Sequence, residues 1–150
     1  MYKKFGLVQL GRNFPIISSS ETLYLLVHPF WGEGSHPYID NIERLIRDTE
    51  DPILTLDYQI TKTMERYAQL GSKGERYFLP NGIPLAVPDC GWEHLAKVIS
   101  QFNSEKVIVG GSQLSGSKEE GYWHCVGTNY KNLKPLVPNL IINESLSDRG

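Results

Sequence analysis

Cysteine and histidine carry the most reactive side chains of this sequence, and Cys125 is the first candidate for catalysis. It lies in the segment Trp-His-Cys-Val-Gly-Thr, which the sequence places early in a helix. The positive end of a helix lowers the pKa of a thiol and raises its thiolate fraction. Cys125 is therefore a candidate nucleophile. The alternative is a small core residue beside Val126, since unpaired cysteines are often buried in this way.

His28 is the second catalytic candidate, because it ends an apolar run and opens a loop that leads to a predicted helix start. The loop, residues 28–37, contains Gly32, Gly34 and His36. Helix N-termini present unpaired N–H groups that attract anions, and glycines let a backbone approach a ligand. We therefore predict ligand contacts at these three residues. The dinucleotide fingerprint is absent, since its third glycine is missing. The alternative is a long capped turn.

A second loop of small residues, 110–117, precedes another predicted helix. Its Gly111, Ser112 and Ser115 offer backbone and hydroxyl donors. Such donors at a helix N-terminus bind phosphates or oxyanions, so these residues are candidate ligand contacts. The alternative is a flexible connection.

Metal and ribose binding are weaker interpretations of the same regions. His36 and Asp40 stand four residues apart on one helical face, but the chain has no Cys-x-x-Cys or His-Glu-x-x-His pattern. We therefore predict no metal site. Asp57 ends a predicted strand, where nucleotide folds hold a ribose hydroxyl. Without a glycine fingerprint we expect Asp57 to face solvent or cap a helix, and we predict no cofactor.

These candidates are positioned by short apolar runs that alternate with helical patterns. No linker divides the chain, so residues 1–150 are predicted to form one domain, with residues 1–21 as an N-terminal arm or extra strand. A first helix is predicted to start at residues 35–37 and to carry an apolar stripe as far as Ile46. The other elements are strands over residues 22–28, 53–58, 76–80, 106–110 and 140–143, and helices over 62–70, 91–102 and 118–133.

The helix starts are predicted from capping residues. Thr61 is expected to cap the second helix and Asp89 the third. Ser117 and Glu120 have the spacing of a capping box, which predicts that the fourth helix begins at residue 118. That helix would carry Cys125 on its inner face.

The alternation of strand and helix predicts an α/β fold. We expect a doubly wound, Rossmann-like three-layer sandwich around a mostly parallel five-stranded sheet. Ligands of such sheets bind outside the carboxyl ends of the strands. The loops over residues 28–37 and 110–118 are therefore expected to form one site near Cys125.

Composition narrows the functional classes. The chain has 150 residues and a formal net charge of −2, which excludes a broadly basic nucleic-acid binder. It has no apolar run of membrane-spanning length, and its first twenty residues do not have the pattern of a signal peptide. Two cysteines are too few for a disulfide scaffold. We therefore expect a cytoplasmic protein that binds neither membranes nor nucleic acids.

One stretch, TLYLLVH, is followed by a long loop, and a second reads KVIVGGSQLSG…HCVGTNYKNLKPLVPNLIINESLSD. Together these stretches resemble the isochorismatase-like cysteine hydrolases. In that family a strand such as VIVGG leads to a helix with Cys-Val-x-x-Thr or a similar motif, and a further strand follows. The resemblance implies that Cys125 attacks an amide or related bond while the helix N-terminus holds the oxyanion. His28 stands where the family has Asp, and the family's Lys has no match nearer than Arg76.

Three functions follow as hypotheses. The first is a hydrolase of a small amide-like substrate that uses Cys125 and His28. The second is a non-catalytic module that binds a nucleotide or phosphorylated metabolite. The third is a protein-interaction domain or homo-oligomer, because three Trp and eight Tyr are residue types that interfaces favour.

Overall fold

The computed structural model describes residues 21–31, 36–81 and 87–149, with His36 by its backbone alone. Residues 1–20 of the predicted N-terminal arm and the candidates Gly32 and Gly34 lie outside these residues. The elements, in chain order, are β1 (Thr22–Val27), α1 (His36–Asp48), β2 (Ile53–Asp57), α2 (Ile60–Gln69), β3 (Arg76–Pro80), α3 (Trp92–Gln101), β4 (Lys106–Ser112), β5 (Ser115–Ser117), β6 (Gly121–Trp123), α4 (His124–Leu133) and β7 (Leu140–Asp148).

Five strands form one parallel sheet in the order β3-β2-β1-β4-β7. The central strand β1 pairs with β2 and β4, and Tyr24 lies opposite Ile53 on one side and Ile108 on the other. The predicted α/β three-layer, Rossmann-like fold is confirmed. All carboxyl ends of the sheet therefore meet at one edge.

The two faces of the sheet are covered by different helices. Successive strand residues point to opposite faces, and in β1 Leu25 packs with residues of α3 and α4 while Leu26 packs with residues of α1 and α2. Both leucines are fully buried. This two-sided burial explains why β1 is a continuous apolar run, as parallel strands usually are.

Gly111 lies in β4 for a steric reason. Its φ is +134°, a conformation that L side chains rarely adopt, and a Cβ there would collide with the Val27 carbonyl oxygen. The glycine lets β4 lie close against β1 at their carboxyl ends. This packing accounts for Gly111 without any ligand.

The fourth helix starts later than predicted. It begins at His124, and residues 115–123 form an antiparallel hairpin of β5 and β6 instead. The Ser117–Glu120 pair does form, since the Ser117 hydroxyl accepts the Glu120 N–H at 3.1 Å. It closes the hairpin turn rather than a helix, because Gly121 (φ +87°) turns the chain back into β6.

The predicted caps of α2 and α3 are wrong as well. α2 begins at Ile60, and the Asp57 carboxylate accepts the Gln59 N–H at 2.9 Å and the Thr63 hydroxyl. Asp57 is therefore neither solvent-facing nor the cap of α2, because it is buried and its carboxylate closes the turn that leads into the helix. α3 follows Gly91 and has no side-chain cap from Asp89.

The last strand is longer than predicted, because β7 reaches Asp148. Its pairing with β4 shifts register between Val109 and Gly111, so that Ile142 and Ser147 are the two β7 partners on either side of the shift. Among the described residues, no helix has the length and apolar character that a membrane crossing requires.

Arg76 lies at the start of β3, at the end of the sheet where the strands begin, and it stabilises the segments around it. Its guanidinium donates to the carbonyls of Thr49 (2.6 Å), Asp51 (2.9 Å) and Ile46 (3.2 Å), and to the Ser72 hydroxyl (2.7 Å). Burial lowers the pKa of Arg76 to about 10, which leaves it charged at neutral pH. The side chain therefore joins the segments that flank α1, α2 and β3.

Candidate functional site

Strained backbone conformations cluster at the carboxyl edge of the sheet. His28 follows β1 with a φ of +24°, Gln113 follows β4 with +69°, and His124 opens α4 with +63°. Among the described residues, Asn103 is the one other non-glycine residue with a positive φ. Because such conformations persist where surrounding structure enforces them, and often at functional sites, this edge is where a site is expected.

His28 is buried at this edge with one ring nitrogen unused. The residue is 4% exposed, and its ring lies 5.8 Å from the Trp31 ring and 6.2 Å from the Tyr58 ring, measured between centroids. Its Nδ1 has no hydrogen-bond partner in the part of the chain that the structure describes. Burial lowers the pKa of His28, against smaller opposing effects from a backbone hydrogen bond and from Asp57. The imidazole is therefore neutral at pH 7 and able to accept a proton.

The turn after β1 is fixed by hydrogen bonds from two other elements. Tyr38 of α1 donates to the Pro29 carbonyl at 2.5 Å. Ser112 of β4 donates to the Trp31 carbonyl at 3.2 Å, with the Pro29 carbonyl at 3.4 Å. Ser112 is fully buried, so in this structure the candidate ligand contact supports the turn. The same bonds hold Trp31 at the protein surface, where 41% of the residue is exposed.

Trp31 borders a cavity of about 230 Å³ at the carboxyl ends of β1 and β2. One wall is aromatic, and the other comes from the first two turns of α2 and the strand end before it. The lining residues are Phe30, Trp31, Asp57, Tyr58, Gln59, Lys62, Thr63 and Arg66.

Two cationic side chains of α2, Lys62 and Arg66, line this cavity and differ in their partners. The Arg66 guanidinium lies 4.5 Å from the centre of the Phe30 ring and donates to the Glu43 carboxylate at 2.9 Å. Lys62 is exposed and forms no ion pair within the described residues. The cavity therefore combines one charge-balanced cation with one that a ligand can use.

Tyr58 lines the cavity together with Trp31 and Asp57. Burial raises the pKa of its phenol, the Asp57 carboxylate raises it further, and a hydrogen bond with the Trp31 side chain opposes this. The phenol therefore remains protonated near neutral pH and can donate a hydrogen bond.

Cys125 lies in the first turn of α4 and is 2% exposed. Its Sγ donates to the Gln113 side-chain oxygen at 3.4 Å. Burial raises the pKa of the thiol, so the lowering that we expected from the helix N-terminus does not prevail. Desolvation disfavours a thiolate more than the helix favours it here. The structure does not join His28 to Cys125 by a hydrogen bond in the described residues, because the His28 ring packs on Trp31 and Tyr58.

The remaining predicted site residues are Ser115 and His36, and Ser115 does not line the cavity. The Ser115 hydroxyl and the His124 Nδ1 are 2.6 Å apart, on the exposed hairpin side of α4. The backbone of His36 begins α1. The two predicted loops do meet, through Ser112 and the turn after β1, but the cavity lies between that turn and α2.

Sequence reasoning missed the residues that line the cavity, above all Tyr58, Lys62 and Arg66. One signal was present. Lys62 and Arg66 stand four residues apart, so they share one face of the helix that follows the strand end at Asp57. Because a helix that follows a parallel strand starts at the carboxyl edge, its first turns carry that face toward the site.

Comparisons with family models, with curated proteins and with solved structures found no match to this chain. The resemblance to isochorismatase-like hydrolases gains no support from them and enters below as a proposal.

Proposed function

We propose that this domain binds a small organic molecule that carries a planar ring and an anionic group, in the cavity beside α2. The observation that carries the proposal is the presence around one cavity of an exposed indole, Trp31, and the ammonium of Lys62, which forms no ion pair among the described residues. The nucleotide or phosphorylated metabolite expected from the sequence belongs to this class of ligand.

The chemistry of the walls supports this class. Indole and phenol rings provide flat surfaces on which another ring stacks at little entropic cost. A lysine ammonium attracts anions and donates up to three hydrogen bonds. Small-molecule sites typically combine such apolar walls with a few polar groups, and they favour the carboxyl edge of α/β sheets.

The test measures ligand binding to the intact chain. The two readouts are Trp fluorescence and the shift in melting temperature. Ring-bearing anions, including nucleoside monophosphates and aromatic carboxylates, are compared with neutral analogues. Lys62→Met should abolish the preference for the anion, because it removes the charge and keeps the length of the side chain. Lys97→Met is the matched control, since Lys97 is exposed on α3 and does not line this cavity. If no anion of the panel binds, the proposal fails.

A cysteine-dependent hydrolase is a second proposal, favoured by one observation. Cys125 lies in the first turn of α4, at the same sheet edge as the neutral imidazole of His28. In such a reaction Sγ attacks the amide carbon while a base takes the thiol proton. The amine leaves with a proton, and water then hydrolyses the thioester. Hydrolysis of small amides that disappears in Cys125→Ser and persists in Cys90→Ser would support it, whereas equal activity of both variants would refute it.

A further inference from the structure

We propose that Glu43 sets the charge preference of the cavity, so that it selects a single-ring carboxylate over a phosphate monoester of the same ring. This inference rests on the proposed binding function and names the class of ligand. Glu43 would act through Arg66, as a residue that determines specificity without touching the ligand.

The formal charges around the cavity distinguish a monoanion from a dianion. Lys62 and Arg66 contribute two positive charges, and Asp57 contributes a negative charge. Glu43 adds a second negative charge through its hydrogen bond to Arg66. The charges of these four described side chains therefore sum to zero before a ligand enters. A monoanion that pairs with Lys62 leaves this set with one excess negative charge, whereas a dianion leaves it with two.

The Arg66–Glu43 pair is held in place by its surroundings. The two side chains are 31% and 27% exposed, which is more buried than an ordinary surface pair. The Phe30 ring lies against the guanidinium at 4.5 Å and restricts its movement. Because Arg66 is already oriented toward Glu43, a ligand anion must compete with that carboxylate for its N–H donors.

The volume of the cavity matches a small ligand. It is about 230 Å³, whereas sites for drug-sized ligands have roughly 300–1,000 Å³. One aromatic ring with a carboxylate fits this volume, and a larger ligand would extend into the adjoining open groove of about 570 Å³ that shares Asp57, Tyr58, Gln59 and Lys62 with the cavity.

The test compares benzoate with phenyl phosphate, which share a ring and differ in charge. At pH 8 phenyl phosphate is a dianion, because the second pKa of a phosphate ester is about 6. Binding is measured by calorimetry or by Trp fluorescence on the wild type, Glu43→Gln and Glu65→Gln. Glu65 is exposed on α2 and does not line the cavity, so its variant makes the same charge change without altering the Arg66–Glu43 pair.

The wild type should bind benzoate more tightly than phenyl phosphate. Glu43→Gln should strengthen the binding of phenyl phosphate by about fivefold, the range of one ion pair near a surface. It should change benzoate binding less, and Glu65→Gln should leave the ratio of the two affinities unchanged. A gain of affinity is the decisive result, because a variant that merely damages the fold would lose binding.

The outcomes separate this inference from the proposed function. If neither probe nor any other anion binds, the proposed function itself fails. If phenyl phosphate binds more tightly to the wild type, or if Glu43→Gln leaves the ratio unchanged, Glu43 does not set the preference and the binding function stands. Should Glu43→Gln not fold, the wild type decides with benzamide as a third probe. Benzoate must then bind more tightly than both neutral benzamide and phenyl phosphate, and any other order overturns the inference.

Discussion

The hydroxyl of Ser112, at the end of β4, donates to the carbonyl of Trp31, in the turn after β1. This bond makes the position of an exposed ring depend on a fully buried residue of the neighbouring strand. Two residues that are 81 positions apart in the sequence thus determine one wall of the cavity.

Ser112→Ala should lower both stability and ligand affinity. Loss of the hydroxyl leaves the part-buried Trp31 carbonyl without this donor, which we expect to cost about 1–2 kcal/mol of unfolding free energy. Urea denaturation measures the loss, and Trp31 fluorescence should report a more mobile ring. Ser100→Ala is the control, because Ser100 is exposed and bonds to a carbonyl of its own helix. Equal stability of the two variants would contradict the role of Ser112.

Arg76→Lys should be among the most destabilising conservative changes in the chain. Lysine cannot reproduce the planar fork that donates to a hydroxyl and to four carbonyls, those of Ile46, Thr49, Asp51 and Glu75. We expect a loss of about 3 kcal/mol, because buried carbonyls are left without donors. Denaturant unfolding provides the measurement. Arg47→Lys is the comparison, since Arg47 pairs with Asp48 on the surface, and its change should stay within about 0.5 kcal/mol.

Acid should destabilise the protein through His28. Burial lowers the pKa of this imidazole in the folded state, so below about pH 6.5 the unfolded chain binds a proton that the folded chain does not yet bind. Stability is unaffected by this group above that pH. It falls as the pH decreases toward the lowered pKa, by at most about 1.4 kcal/mol per pH unit.

The measurement for His28 is the pH dependence of unfolding between about pH 5 and 8, the range that spans the ordinary histidine pKa. His28→Asn should reduce the pH dependence of the unfolding free energy. Asparagine is chosen because it tolerates the positive φ of this position. His94→Gln, on α3, serves as the control for loss of a histidine elsewhere. An unchanged slope in His28→Asn would show that another group governs the acid response.

The two cysteines should react with alkylating reagents at very different rates. Cys90 is exposed and Cys125 is buried. Burial raises the pKa of both thiols, so the rates should differ mainly through access. Mass spectrometry after iodoacetamide treatment should find Cys90 modified first and Cys125 modified in step with unfolding. Rapid modification of native Cys125, with an apparent pKa below about 8.5, would instead favour the hydrolase proposal.

Gly111→Ala should prevent stable folding, whereas Gly71→Ala should be tolerated. Both glycines have a positive φ, but Gly71 has no atom within 4 Å of an added Cβ, and Gly111 has the backbone of Val27. We expect Gly71→Ala to lower the unfolding free energy by about 1 kcal/mol through backbone strain. Gly111→Ala should lower it by more than about 3 kcal/mol, because strain and steric overlap combine there. Thermal melts of the two variants test this order, and similar melting temperatures would contradict it.

The sheet could be predicted from the sequence because parallel strands are buried on both faces. The runs TLYLLV and KVIVG contain almost no polar residue, and their short length and, in KVIVG, β-branched residues favour a buried strand over a helix. The start of α4 could not be predicted in this way. Ser117 and Glu120 form hydrogen bonds that occur both at helix N-termini and in tight turns. The positive φ of Gly121 makes this segment a turn rather than the start of a helix.

The cavity was harder to predict than the fold. Gly111 and Ser112 looked like ligand contacts, because small residues that bring strands together have the same composition as those that cradle anions. Lys62 and Arg66 looked like an ordinary exposed helix face. Whether these two side chains line a cavity depends on which turn lies opposite α2. Hydrogen bonds between distant residues, such as Ser112 to Trp31, determine the position of that turn.

Arg76 lies where β3 begins, and the cavity lies where β1 and β2 end, so the buried bonds of Arg76 and the cavity occupy opposite ends of one sheet. Neither Lys62 nor Trp31 contributes to the bonds that Arg76 makes. Under the proposed binding function, this separation would let a lineage change its ligand by single substitutions while the chain continues to fold. The domain would then be a suitable framework on which new binding specificities can be selected.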